Sequence, residues 1–283
     1  MSPFLPVRST LASVPQNSRQ KPGRSLFLVT LGLILWGSGL QNDRTLAATP
    51  ETAPAPLKQA LTQIDAAANS KNLQGVLQFY SPSFVHSDGL TRRLLEQALT
   101  QLWRQYPNLT YRTELKSWQP DGQGIRAETV TYLSGTQTVN GQSLKLNSTL
   151  QSRQRFEGQT IVQQDILAEM SKVTSGENPP DVKVTLPQQV RVGQDFSFDA
   201  IVQDPLDKDL LLGSALEETV KPIGYLNPTI VELELLASGG IFKVGRASNT
   251  PGNRWISAVV VRYGGTTMVT QRLRIVAGSP TTK

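Results

Sequence analysis

Apolar positions change their spacing along the chain, and the changes mark out its organisation. Residues 25–40 (SLFLVTLGLILWGSGL) form an uncharged apolar run with no polar face. From Leu57 the spacing is helical: Leu57, Leu61, Ile64 and Ala68 recur at four, three and four and line one face of a helix. Asn72 is placed to open a short second helix carrying Leu73, Val76, Leu77 and Tyr80, stopped at Ser81-Pro82, since proline disfavours helical backbone in the residue before it. A third helix is predicted over 91–106. There Leu94, Leu95, Ala98, Leu99, Leu102, Trp103 and Tyr106 make a stripe broad enough to call for a sheet beneath it.

After Pro107 the period drops to two, which makes strands with one buried face: Leu109, Tyr111, Thr113 and Leu115 alternate with Thr110, Arg112, Glu114 and Lys116. Turns at Asp121-Gly122, Asn140-Gly141 and Glu157-Gly158 separate further strands at 125–133, 144–156 and 161–170, Asn-Gly being the strongest short hairpin signal. The order is therefore three helices followed by four long antiparallel strands. Residues 174–181 (TSGENPPD) hold breakers and no periodic apolar position, and read as a linker. Beyond them, β-rich runs at 182–186, 196–202, 230–236, 241–244, 255–263 and 268–276 are divided by Gly, Pro, Asn and Asp turns, the pattern of an all-β sandwich. Residues 210–220 fit either a helical turn or a strand edge.

The phrase Leu77-Gln78-Phe79-Tyr80-Ser81-Pro82-Ser83-Phe84, the third helix and the long strands that end at 161–170 resemble the nuclear transport factor 2-like superfamily, also called SnoaL-like or α+β cone, over about residues 55–173. The resemblance implies a strongly curved sheet wrapped around helices, a conical pocket between the helices and the concave face, and pairing of two copies through the convex face. Val190-Arg191-Val192-Gly193-Gln194-Asp195-Phe196 is similar to bacterial immunoglobulin-like modules, over about residues 180–277. The expected class is thus α+β, a cone-shaped domain at 57–173 and an all-β sandwich at 182–277. Around them lie a leader at 1–47, a spacer at 48–56, the linker at 174–181 and a tail at 278–283.

Charge changes this picture little. The net charge of +6 comes from 28 bases and 22 acids; removing Arg8, Arg19, Lys21, Arg24, Arg44 and Asp43 with the leader leaves 23 and 21, hence +2. Nucleic acid is not an expected partner, because the remaining Lys and Arg are scattered. The basic stretch 19–24, the apolar run, and small residues at Thr45 and Ala47 read as an export segment, cleaved after Ala47 or kept as an anchor. Either way the remainder is expected outside the cytoplasm, touching a membrane only through an uncleaved leader. The absence of cysteine excludes disulfides and thiolate sites, and one histidine without clustered acids offers no metal site. No glycine-rich phosphate loop follows a strand, and no cofactor is expected.

The superfamily holds ketosteroid isomerase and polyketide cyclases beside many non-catalytic modules, so fold does not decide function. Isomerase or cyclase chemistry needs a base and a donor that stabilises an enolate. His86, Asp88, Asp165 and Glu169 are the candidate acids and bases, and Tyr80, Tyr111 and Tyr132 the candidate donors. His86 could pair with Asp88, but Ser87-Asp88-Gly89 reads first as a turn, with His86 solvated or locally bonded. Asp165 and Glu169, four apart on a strand, share one face, read first as exposed and second as pocket. Tyr80, Trp103, Tyr106, Tyr132 and Phe156 either line an apolar pocket or fill the core.

The leading expectation is an exported, non-catalytic binding or assembly module for an unknown protein or small apolar ligand, with a homodimer possible. The alternative is a small-molecule enzyme of the isomerase, dehydratase or cyclase kind, with Asp165 or His86 as base and a tyrosine as donor. A third is a membrane-anchored structural adaptor.

Overall fold

The structure, a computed structural model, describes residues 47–205, 209–226, 232–236 and 238–278. The expected export segment, but for Ala47, and most of the tail lie outside the described residues. Among the described residues no helix is long and apolar enough to cross a membrane.

Three helices come first, with one strand between them: α1 (Ala55–Asn69), α2 (Leu73–Leu77), β1 (Tyr80–His86) and α3 (Arg92–Gln105). Side chains fix the helix starts, Asn72 Oδ1 accepting from Gly75 N–H at 2.9 Å and Thr91 Oγ1 from Leu94 N–H at 3.3 Å. The second helix is shorter than its apolar spacing suggests. Tyr80 is not on it but opens β1, because the edge of a neighbouring strand supplies what a five-residue helix cannot: Ile161 N–H donates to Phe79 C=O at 2.7 Å.

Four long strands follow: β2 (Thr110–Asp121), β3 (Gly124–Val139), β4 (Gln142–Glu157) and β5 (Thr160–Gly176). The Asn140-Gly141 turn is made with both residues at positive φ (51° and 79°), the twist a two-residue hairpin requires. α1 is stitched to the free edge of β2: Thr113 N–H donates to Asp65 at 2.6 Å, Tyr111 N–H to Asn69 Oδ1 at 2.7 Å, and Asn69 Nδ2 returns a bond to Tyr111 C=O. The helices-then-strands order expected of the cone is present.

The expected linker begins three residues too early. Thr174 and Ser175 are in the ladder, opposite Lys145 and Leu144 on β4, and β5 ends only at Gly176. Both residues suit a strand; the breakers start at Glu177.

The remaining elements are β6 (Val182–Thr185), β7 (Gln189–Arg191), β8 (Asp195–Val202), β9 (Leu212–Thr219), a 3-10 turn at Pro222–Tyr225, β10 (Glu234–Leu235), β11 (Gly240–Arg246), β12 (Gly252–Arg262) and β13 (Gly265–Val276). The ambiguous stretch at 210–220 is a strand. One sheet runs β10-β9-β12-β13-β5-β4-β3-β2, with β1 attached to β5 and β7 to β13; a second runs β11-β8-β6. The two halves of the chain therefore share a continuous sheet, which the sequence reading did not anticipate. β5 is the joint. Its outer edge pairs with β1 in parallel at Ile161–Gln164 and with β13 antiparallel at Met170–Gly176.

Two cores result. In the first half Leu57, Phe79, Phe84, Phe156 and Ile161 pack between helices and sheet. In the second, Phe196, Phe198 and Ala200 of the small sheet face Ile256, Ala258, Val260 and Leu273 of the large one. Side chains alternate along β13, so Leu273 points into this second core and Arg272 to the opposite face. Phe156 is 1% exposed and Tyr263 89%. Phe156→Ala is expected to lower unfolding stability by about 3–5 kcal/mol in urea titrations, and Tyr263→Ala by under about 0.5 kcal/mol.

Candidate functional site

The large sheet and the helices line a partly open cavity of about 440 Å³. Its walls are mainly apolar, with Leu61 and Ile64 from α1, Leu95 and Leu99 from α3, and Leu146 and Leu150 from β4. Polar groups gather where β1, β4, β5 and β13 meet. That combination of an apolar body with few convergent polar groups is how small-molecule sites are built.

The polar cluster centres on Arg272, whose side chain has no exposed surface. Nη1 and Nη2 donate to the two oxygens of Asp88, both at 2.9 Å, and Nε and Nη2 donate to Glu169 Oε2 at 3.2 and 2.8 Å. Asp88 also accepts from Tyr225 Oη at 2.6 Å and Asn253 Nδ2 at 3.1 Å, so each of its oxygens receives two bonds and its acceptor capacity is filled. Burial alone would raise the Asp88 pKa, but the bonds and charge of Arg272, with the bond from Tyr225, outweigh it and hold the carboxyl below its ordinary value. Burial works against the Arg272 charge too; Glu169 and Asp88 more than compensate and raise its pKa. Burial, with Glu169 close by, also pushes the Tyr225 hydroxyl up, so it remains protonated.

Glu169 is held differently. Arg272 and the Trp255 indole (3.0 Å) all bond its Oε2. Among the described residues Oε1 has no partner, and the residue lines the cavity. One guanidinium between two carboxylates leaves the cluster one net negative charge when both are ionised. Glu169 is the carboxylate that can present it to a bound molecule.

His86 ends β1 beside them. It is 8% exposed and lines the cavity, so it is not solvated; the expected turn at Ser87-Asp88-Gly89 and the expected local bonding are present. Its Nδ1 accepts from Asp88 N–H at 3.1 Å, which assigns the ring proton to Nε2. Nδ1 lies 3.8 Å from Asp88 Oδ2, beyond hydrogen-bond reach, and that oxygen is already taken, so the pairing considered for catalysis is not made. Burial is the main cause of a lowered His86 pKa; the charge of Asp88 opposes it and that of Arg272 adds to it. The imidazole is therefore neutral at pH 7, with Nε2–H as a donor.

Asp165 and Glu169 do not share a face. Gln151 stands opposite Ala168 and Ser152 opposite Ile166, so Leu167 is an extra residue in β5, and this bulge reverses the alternation. Asp165 is left on the outer face beside Arg126, Arg153 and Arg155, and Glu169 on the inner one. Tyr132 is also outside: its neighbours Thr131 and Leu133 line the cavity, and its own ring lies under the Arg112 guanidinium at 4.3 Å. Of the five aromatic candidates, Tyr80 and Tyr106 line the cavity. Trp103 and Phe156 are buried in the two packed clusters of the first half, Trp103 donating to Tyr111 Oη at 2.8 Å. Burial raises the Tyr80 pKa to about 12, and that of Tyr111, which also lines the cavity, to about 12.

Tyr225, Trp255, Asn253 and Arg272 escaped the sequence reading. Alternation does put Arg272 opposite Leu273, but a polar residue on the outward face of a strand ordinarily meets water. Only the pairing of β13 with β5 covers it. Among the described residues no three His, Asp or Glu side chains gather as metal ligands.

Residues 177–276 match the family model described as Domain of unknown function (DUF8623). No curated protein matches the chain. Solved structures with partial likeness include AclR from Streptomyces galilaeus, at 18% identity over 40% of this chain and 79% of that one, TM-score 0.32. A protein with a ketosteroid isomerase-like fold from Catenulispora acidiphila is 14% identical over 42% and 85%, TM-score 0.29. Delta 5-3-ketosteroid isomerase from Mycobacterium sp. is 14% identical over 39% and 91%, TM-score 0.26. Likeness at these scores carries no argument about activity.

Removing Arg272 strands two carboxylates. Arg272→Met is expected to cost about 3–5 kcal/mol, read by urea unfolding. Titration gives a second prediction. Asp88 and His86 both bind protons more weakly folded than unfolded, so the unfolded chain gains protons first as pH falls. Their contribution is complete above the ordinary values of 6.5 for His86 and 3.8 for Asp88, and is lost as pH falls through the lower folded values. The melting temperature should drop between pH 7 and 5, and His86→Phe should flatten that part of the curve.

Proposed function

We propose that this chain, whose first half has the nuclear transport factor 2-like, SnoaL-like fold, holds a small, mostly apolar carbonyl compound in the cone cavity and moves a proton on it. The observation that carries the reading is Glu169: one oxygen tied down by Arg272 and Trp255, the other unpartnered among the described residues, on the wall of an apolar cavity that also presents His86. Glu169 Oε1 takes a proton from the carbon next to the carbonyl, and His86 Nε2–H hydrogen-bonds the oxygen on which negative charge develops. The proton returns from Glu169 to the same or a neighbouring carbon, so an isomerisation leaves the enzyme unchanged. This is the isomerase, dehydratase or cyclase class, with Glu169 in the place first considered for Asp165.

In this reading the second half is an immunoglobulin-like sandwich that serves as the back wall of the site, since Tyr225, Trp255 and Arg272 come from it. The leader would deliver the protein outside the cytoplasm.

The test is α-proton exchange of 2-tetralone in D₂O followed by NMR. The protein should accelerate exchange, and Glu169→Gln should lower the acceleration about 100-fold or more while 2-tetralone still binds. Binding without acceleration would leave a non-catalytic binding module.

A further inference from the structure

One row of the cavity wall is built for a ligand group the proton-transfer site does not use. His86 stands opposite Gln164 across β1 and β5, and Gln164 opposite Gln154 across β5 and β4, so three adjacent strands present imidazole, amide and amide at one level. All three side chains line the cavity and each is 8% exposed. None carries a charge at pH 7.

The row is incompletely bonded. Gln164 Nε2 donates to Ser152 Oγ at 3.3 Å, and Gln154 Nε2 reaches Gln164 Oε1 only at 3.5 Å. Gln154 Oε1 is buried and has no partner among the described residues. A buried carbonyl oxygen left without a donor is costly, and a group that supplies one recovers that cost. The carboxamide is held by one long contact and can turn its oxygen toward a bound molecule. A carboxylate offers that oxygen no proton and would meet repulsion, whereas a neutral hydroxyl or amide N–H fits.

We infer that the ligand carries, besides its carbonyl, a neutral hydrogen-bond donor that Gln154 Oε1 accepts: the substrate class is an apolar hydroxy- or amide-bearing carbonyl compound. This rests on the cavity reading above, and it is separable from proton transfer because it concerns binding alone.

Calorimetric titration of the full chain with 2-naphthol, 2-methoxynaphthalene and 2-naphthoate tests it. The naphthol has the donor, the methyl ether keeps the oxygen without the proton, and the naphthoate is an anion. Expected is binding of 2-naphthol about tenfold tighter than of the ether, with the naphthoate weakest. Gln154→Met should abolish the difference while the ether binds as before, and Gln154→Leu serves the same purpose if the first variant folds poorly. Melting temperatures of these variants should change little, since removing the unpartnered Gln154 Oε1 offsets the loss of the long Gln154 Nε2–Gln164 Oε1 contact. Equal binding of naphthol and ether to the unaltered chain would overturn the donor requirement and leave the cavity reading standing. A preference that persists in Gln154→Met would overturn the assignment to Gln154, and failure of all three probes to bind would overturn the cavity reading itself.

Discussion

A guanidinium with no exposed surface must be balanced where it lies, because an unpaired charge taken out of water is among the costliest features a fold can hold. Arg272, on a strand of the other half of the chain, is balanced by Asp88 in the turn after β1 and by Glu169 on β5. The arrangement exists only if β13 lies against β5 and β1 ends beside it. That one ion cluster therefore ties the second half of the chain to the first and fixes one oxygen of the carboxylate proposed to act as base.

The same constraint explains the division of labour among the ionisable groups. Asp88, with four bonds to its two oxygens, is saturated and belongs to the scaffold. Glu169 spends one oxygen on the scaffold and keeps the other for the cavity. His86, neutral because it is buried and with its Nδ1 accepting a hydrogen bond from Asp88 N–H, is left as a donor through Nε2.

Local structure was largely legible in the sequence because it depends on local chemistry. The Asn140-Gly141 hairpin, the helix start at Asn72, and the alternation over 109–116 all appear where their residues require. Errors arose where tertiary pairing overrides periodicity. Tyr80 has helical spacing yet starts a strand, because β5 offers its edge. The bulge at Leu167 sends Asp165 and Glu169 to opposite faces, and nothing in the sequence marks it. His86 and Asp88 look like a surface turn until Arg272, 184 residues beyond Asp88, covers them. His86, Asp88 and Glu169 were thus legible in residue type but not in orientation, and Tyr225, Asn253, Trp255 and Arg272 not at all, since both are set by strands far apart in sequence.

His86 is the chain's single histidine, so an untagged, ¹⁵N-labelled sample has one imidazole to follow. Nitrogen chemical shifts of that ring, recorded at pH 7 without ligand and then with 2-tetralone, test the central claim most directly. A neutral ring with the proton on Nε2, whose Nε2–H resonance moves when 2-tetralone is added, is what a buried donor on the wall of a working cavity requires. A ring that titrates at its ordinary value, or whose signals ignore the ligand, would contradict it.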